Sequence, residues 1–121
     1  MSGGDWKEMY VGVLRGDAVL VQHHIESGVD PNYQHPEILC TPLVASIIEG
    51  HDEIALYLLE HGADPQLESH FNQLTPIQAA RRYKRSEVLA RLIALEAERK
   101  VTPRMQLARW VQRLASRIAG V

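Results

Sequence analysis

Cysteine is nearly absent: Cys40 stands alone, so no disulfide can form within the chain. A reducing compartment is therefore permitted, and a cytoplasmic location is the expectation. Aromatic residues are scarce, at 6%, although hydrophobic residues reach an ordinary 45%. No apolar run approaches the length of a membrane span. The amino terminus, Met-Ser-Gly-Gly-Asp-Trp, has no basic region followed by an apolar stretch, so no signal peptide is expected. The motifs of common chemistries are missing too. There is no nucleophile elbow, no Gly-rich phosphate loop, no HExxH and no paired-cysteine zinc pattern. The six histidines show no ligand spacing joined to cysteine or carboxylate. The chain is expected to be non-enzymatic, with no cofactor and no metal.

Charge of one sign is also missing locally. Residues 1–80 hold twelve acidic side chains and two basic ones, Lys7 and Arg15. Residues 81–121 hold eleven basic and three acidic. The overall charge of −2 hides this split, which sets up a dipolar field that can steer a partner. A partner with a basic surface would suit the acidic part. The cluster Arg81, Arg82, Lys84 and Arg85 comes without a nucleic-acid motif, so no nucleic acid is expected.

The organising stretch is Thr41 to Gln66. Thr41 is placed to cap a helix and Pro42 suits its first position. Gly50 is placed to end that helix in the left-handed conformation. Asp52 and Glu53 favour the start of the next, whose apolar stripe is Ile54, Ala55, Leu58 and Leu59. Gly62 ends it. Such a helix pair cannot bury its apolar faces alone and needs neighbours of the same shape.

The neighbours lie 34 residues away. Gly28-Val29-Asp30-Pro31-Asn32 returns as Gly62-Ala63-Asp64-Pro65-Gln66, Thr41-Pro42-Leu43 as Thr75-Pro76-Ile77, and Gly16-Asp17 as Gly50-His51. A fixed period of this length marks a repeat architecture. The repeats span about 5–32, 39–66 and 73–97, within a domain at 1–101. Repeat one lacks Thr-Pro, and its His24 falls where repeat two has Leu58. Beyond an expected linker at 98–101, residues 102–121 read as a basic amphipathic helix packed on the last repeat. Leu107, Val111, Leu114 and Ile118 form its apolar stripe, with Arg109, Arg113 and Arg117 as a second, basic stripe.

The TPL, GH, EI and GADP elements resemble those of ankyrin repeats. The resemblance implies an all-α solenoid of helix–turn–helix units with hairpin-like finger loops; the amphipathic stretch at 102–121 is read from its own residues as a C-terminal capping helix. It also implies protein binding through a concave face formed by fingers and inner helices. The chain departs from the family pattern in its fingers, Gly28 to Thr41 and Gly62 to Thr75, each one residue longer than usual, and at three further places. Leu39 and Gln73 replace the finger glycine, which predicts an altered finger turn. Val44 and Gln78 replace the histidine after TPL, which removes its hydrogen bond. Lys84-Arg85 replaces Gly-His, which predicts a looser reversal in repeat three.

Carried over position by position, the partner-binding residues are Trp6, Leu14 and Arg15 in repeat one. In repeat two they are Glu37, Ile38, Ile48 and Glu49, with Cys40 at a semi-buried finger position. In repeat three they are Phe71, Asn72, Leu74, Arg82 and Tyr83. The expected function is a protein–protein interaction module, monomeric or weakly homo-oligomeric, with no membrane partner. An alternative of another class is a small bacterial immunity-type or antitoxin inhibitor that blocks a basic enzyme surface.

Overall fold

The structure is a computed structural model and describes residues 3–100. Six helices follow in order: α1 (Gly3–Arg15), α2 (Ala18–Glu26), α3 (Pro42–Glu49), α4 (Asp52–Glu60), α5 (Pro76–Arg82) and α6 (Ser86–Lys100). They pack as pairs, α1 with α2, α3 with α4 and α5 with α6. The pairs then stack in two rows, an inner row α1–α3–α5 and an outer row α2–α4–α6. The expected helix at 102–121 lies outside the described residues.

Local chemistry sets the starts of the helices. Thr41 accepts a hydrogen bond from the Val44 N–H at 3.1 Å, with Pro42 in the first turn. Thr75 accepts from the Gln78 N–H at 3.3 Å, and Gln78 Oε1 accepts from the Thr75 N–H at 3.0 Å. This reciprocal pair is a capping box. Gln78, which replaces a family histidine, thus supplies a cap bond of its own. Asp17 accepts from the Leu20 N–H at the start of α2.

The reversals hold even where glycine is missing. Gly16 and Gly50 have φ of 76° and 79°, and Lys84 takes the same left-handed region at 57°. One backbone bond recurs in all three: Asp17 N–H to Gly12 O, His51 N–H to Ser46 O and Arg85 N–H to Ala80 O, each 2.9 Å. The looser third reversal expected from sequence is therefore not found. The finger turns behave likewise. Leu39 and Gln73 have φ of 57° and 55°, and their N–H groups bond His35 O and Ser69 O, each at 2.8 Å. The family turn survives without its glycine, at a cost of about 1–2 kcal/mol for each side chain held left-handed.

A gain should follow from restoring glycine at Gln73 and Lys84, the two polar residues of the three. Glycine costs about 0.5–1 kcal/mol in added freedom of the unfolded chain. The net expectation for Gln73→Gly and for Lys84→Gly is a gain of about 0.5–1 kcal/mol each. Urea midpoints measure it, and a fall in either midpoint would show that the side chain stabilises its turn.

The core runs through the stack without a break. Met9, Val13 and Val21 belong to repeat one, Leu43, Val44, Ile47, Ile54 and Leu58 to repeat two, and Ala79, Ala80, Val88 and Leu92 to repeat three. His24 is buried as its alignment with Leu58 predicts, with Nε2 3.7 Å from Glu8 Oε1. Instead of the linker expected at 98–101, α6 continues to Lys100. Glu96 stands where Gly28 and Gly62 end α2 and α4, so nothing breaks the helix there.

Candidate functional site

The two fingers, residues 28–41 and 62–75, leave the ends of the outer helices and return to the starts of the inner ones. Side chains of finger one bind the backbone of finger two. Asn32 donates to Gly62 O at 2.9 Å and accepts from the Asp64 N–H at 2.7 Å. Gln34 donates to Glu68 O and accepts from the His70 N–H, each at 3.1 Å. The Phe71 N–H bonds Leu39 O at 2.9 Å, and the Thr41 N–H bonds the buried Ser69 hydroxyl at 3.2 Å. In finger two, Ser69 and Leu74 form an antiparallel bridge.

This framework places the residues singled out in sequence. Phe71 projects from finger two with 74% exposure. Asn72 beside it is half-buried and accepts from the Ser69 hydroxyl at 2.9 Å. Glu37 is exposed on finger one and pairs with Lys7 of α1 at 2.9 Å, an ammonium that holds its carboxyl below the usual carboxylate range. Ile38 and Leu74 are half-buried against the core. At the C-terminal ends of the inner helices, Leu14, Arg15, Glu49, Arg82 and Tyr83 are exposed, and Ile48 is half-buried. The helix ends lie about two turns, roughly 10 Å, from the finger side.

Trp6 is a correction. It was expected on the binding face but is fully buried, at 0% exposure. Its ring stacks on Tyr10 at 5.0 Å and meets Tyr33 edge-on at 6.0 Å, under finger one. The 34-residue alignment already pairs it with Cys40, which is buried as well, its thiol directed to the Ile38 carbonyl at 3.4 Å. Half-buried Tyr10 lies beside that cysteine. Burial pushes its phenol well above the ordinary tyrosine value, and a hydrogen bond with Cys40 adds to the shift.

Among the exposed apolar residues that sequence reasoning missed are Leu39 and Tyr33 on finger one and Val11 on α1. The signal for Leu39 was present, because a leucine replaces a turn glycine there. Val11 aligns with buried Ala45 and Ala79, so only the open flank of repeat one exposes it. Charge on this side follows the split in the chain. Glu37 and Glu49 are exposed in the earlier part of the stack, and Arg82 and Lys84 in repeat three. Among the described residues, no group of three His, Cys, Asp or Glu side chains is placed to hold a metal ion.

Six stacked helices with a common 34-residue bond pattern meet a direct match in comparison. A family profile described as "Ankyrin repeats (3 copies)" matches residues 9–103. The chain belongs to the ankyrin repeat family. The ankyrin repeat protein FPV222 of Fowlpox virus (strain NVSL) is 31% identical over 67 residues. That match covers 55% of this chain and 9% of the viral protein. Ankyrin repeats are in general non-catalytic modules of protein–protein interaction. No helix among the described residues is long and apolar enough to cross a membrane.

Proposed function

We propose that this ankyrin repeat chain binds a protein partner across the face made by its finger tips and inner-helix ends. The observation that carries the reading is Phe71, exposed beside Leu39 on fingers that are themselves fixed by hydrogen bonds. Leu14 and Tyr83 add exposed apolar surface at the helix ends. Exposed apolar groups of this kind mark interaction sites, and aromatic residues with arginine dominate their binding energy. Arg82 lies beside Tyr83. Exposed Glu49, at the end of α3, favours a partner that carries a basic group opposite repeat two. Neither comparison bears on a bacterial immunity-type role.

Affinity purification with mass spectrometry, run at low and high salt, would provide the partner, and calorimetric titration its affinity. Phe71→Ala and Tyr83→Ala should leave stability within about 1 kcal/mol. At least one should weaken binding by about 2 kcal/mol or more. Val19→Ala serves as the control, because Val19 is 77% exposed on the outer helix α2. Full affinity in both face variants, with a loss in Val19→Ala, would move the site to the outer row.

A further inference from the structure

Each repeat in this stack is completed by the next. Leu43 and Ala55 of repeat two are buried, at 2% and 0% exposure. Their equivalents in repeat three, Ile77 and Leu89, remain half-buried. Ile77 borders an open groove of about 520 Å³, walled by Pro65, Thr75, Gln78, Arg81 and Glu96. A second groove of about 330 Å³ lies further along, between Ala80, Lys84, Ser86 and Leu89. Together they mark where a fourth inner helix would sit beside α5.

The hydrogen-bond pattern changes at the same edge. Asn32 ties finger one to the following turn, but its equivalent Gln66 bonds Arg99 on α6. Helix α6 continues past Ala94, the equivalent of the last residue of α4, and carries the chain alongside that turn to Lys100.

We propose that residues 102–119 form a fourth inner helix that lies in these grooves against α5, so that the chain closes its own stack. Thr102-Pro103 repeats the start of α3 and α5, the inner helices whose first turns are fixed by threonine and proline. It follows Thr75-Pro76 by 27 residues rather than 34, as it should if the extension of α6 replaces a finger. The direction also fits. The chain reaches Lys100 at the finger end of the stack, where α3 and α5 begin, and two further residues span at most about 7 Å. Eighteen residues of helix measure about 27 Å, long enough to cross both grooves. Leu107, Val111, Leu114 and Ile118 fall on one narrow stripe; Arg109 lies opposite it, Arg113 on the same outer side, and Arg117 at its flank. Burying the first stripe leaves the arginines in water. This arrangement does not depend on partner binding.

Crosslinking in the whole 121-residue chain tests it. In a Cys40→Ala background, Ile77→Cys is combined in turn with Leu107→Cys, Val111→Cys, Arg109→Cys or Arg113→Cys, and each protein is oxidised at high dilution. An intrachain disulfide should form with Leu107→Cys or Val111→Cys at least tenfold faster than with either arginine position. Equal rates on both faces, no disulfide, or disulfides between chains would overturn the proposal; the last would assign the groove to a second copy. Thermal unfolding provides the second readout. Leu107→Asp with Leu114→Asp should lower the midpoint, and Arg109→Ala with Arg113→Ala should not. Equal midpoints in the two double variants would also overturn it.

Discussion

Leu58→Ala should lower the free energy of unfolding by about 2–5 kcal/mol. Leu58 is fully buried in α4, within the core that joins the three repeats. Truncation there removes apolar contact and leaves a cavity that helices pinned by caps at Thr41 and Thr75 cannot easily fill. The stack magnifies the effect. Repeat two is the only described repeat with a neighbour on each side, and solenoid stability is nearly a sum of repeat and interface terms. The equivalent position in repeat one is His24, whose Nε2 makes no hydrogen bond among the described residues and lies 3.7 Å from Glu8 Oε1. Leu56→Ala, at a half-buried site on the same helix, is the comparison and should cost less. Urea unfolding followed by circular dichroism measures both. A loss under about 1 kcal/mol at Leu58 would mean that the core relaxes to fill the space.

Arg85→Ala should cost about 2–3 kcal/mol, although it removes no core residue. The guanidinium of Arg85 donates from Nε to Ile47 O at 2.8 Å and from a terminal nitrogen to Ile48 O at 3.0 Å. Those carbonyls belong to the last turn of α3, where the helix dipole is negative and intrahelical donors run out. His51 does the same for α1, with Nε2 3.2 Å from Leu14 O. Each repeat therefore caps the inner helix of the one before it. The guanidinium also lies over Gly50, close enough that an added Cβ would meet it at 2.9 Å. Arg85→His, which installs the residue found in repeat two, should recover part of the loss by restoring one bond. If Arg85→Ala and Arg85→His both unfold at the wild-type midpoint, these bonds contribute nothing net.

Much of this was legible in the chain because repeats report the same geometry more than once. The 34-residue displacement, the Thr-Pro helix starts and the glycine reversals at Gly16 and Gly50 all stand where they were read. The errors come from tertiary structure overriding local preference. Lys84, Leu39 and Gln73 look unfit for left-handed turns. Yet Lys84 is followed by the Arg85 bonds to α3, and Leu39 O is held by the Phe71 N–H. Such neighbours fix the backbone whatever side chain it bears. Trp6 has the register that the 34-residue alignment gives it, but that position is buried in both repeats, and nothing local signals that Tyr10, Tyr33 and His35 close around the indole. The length of α6 depends on a single missing glycine at position 96, whose absence was legible but was read as a linker.

The bonds from Asn32, Gln34 and the Phe71 N–H make the two fingers one rigid comb. Its tips cannot splay independently, so Leu39 and Phe71 present a fixed pitch to whatever approaches. Loops elsewhere lose conformational freedom when a ligand orders them, a cost of about 0.5–1.5 kcal/mol for each immobilised side chain. Here the backbone is already ordered, and only the exposed side chains remain to be stilled. Under the proposed reading, a partner docking on these tips would meet a ruler rather than a glove. Such a partner would have to match the spacing from the outset, and a one-residue shift between its own contact groups should be felt at both tips together.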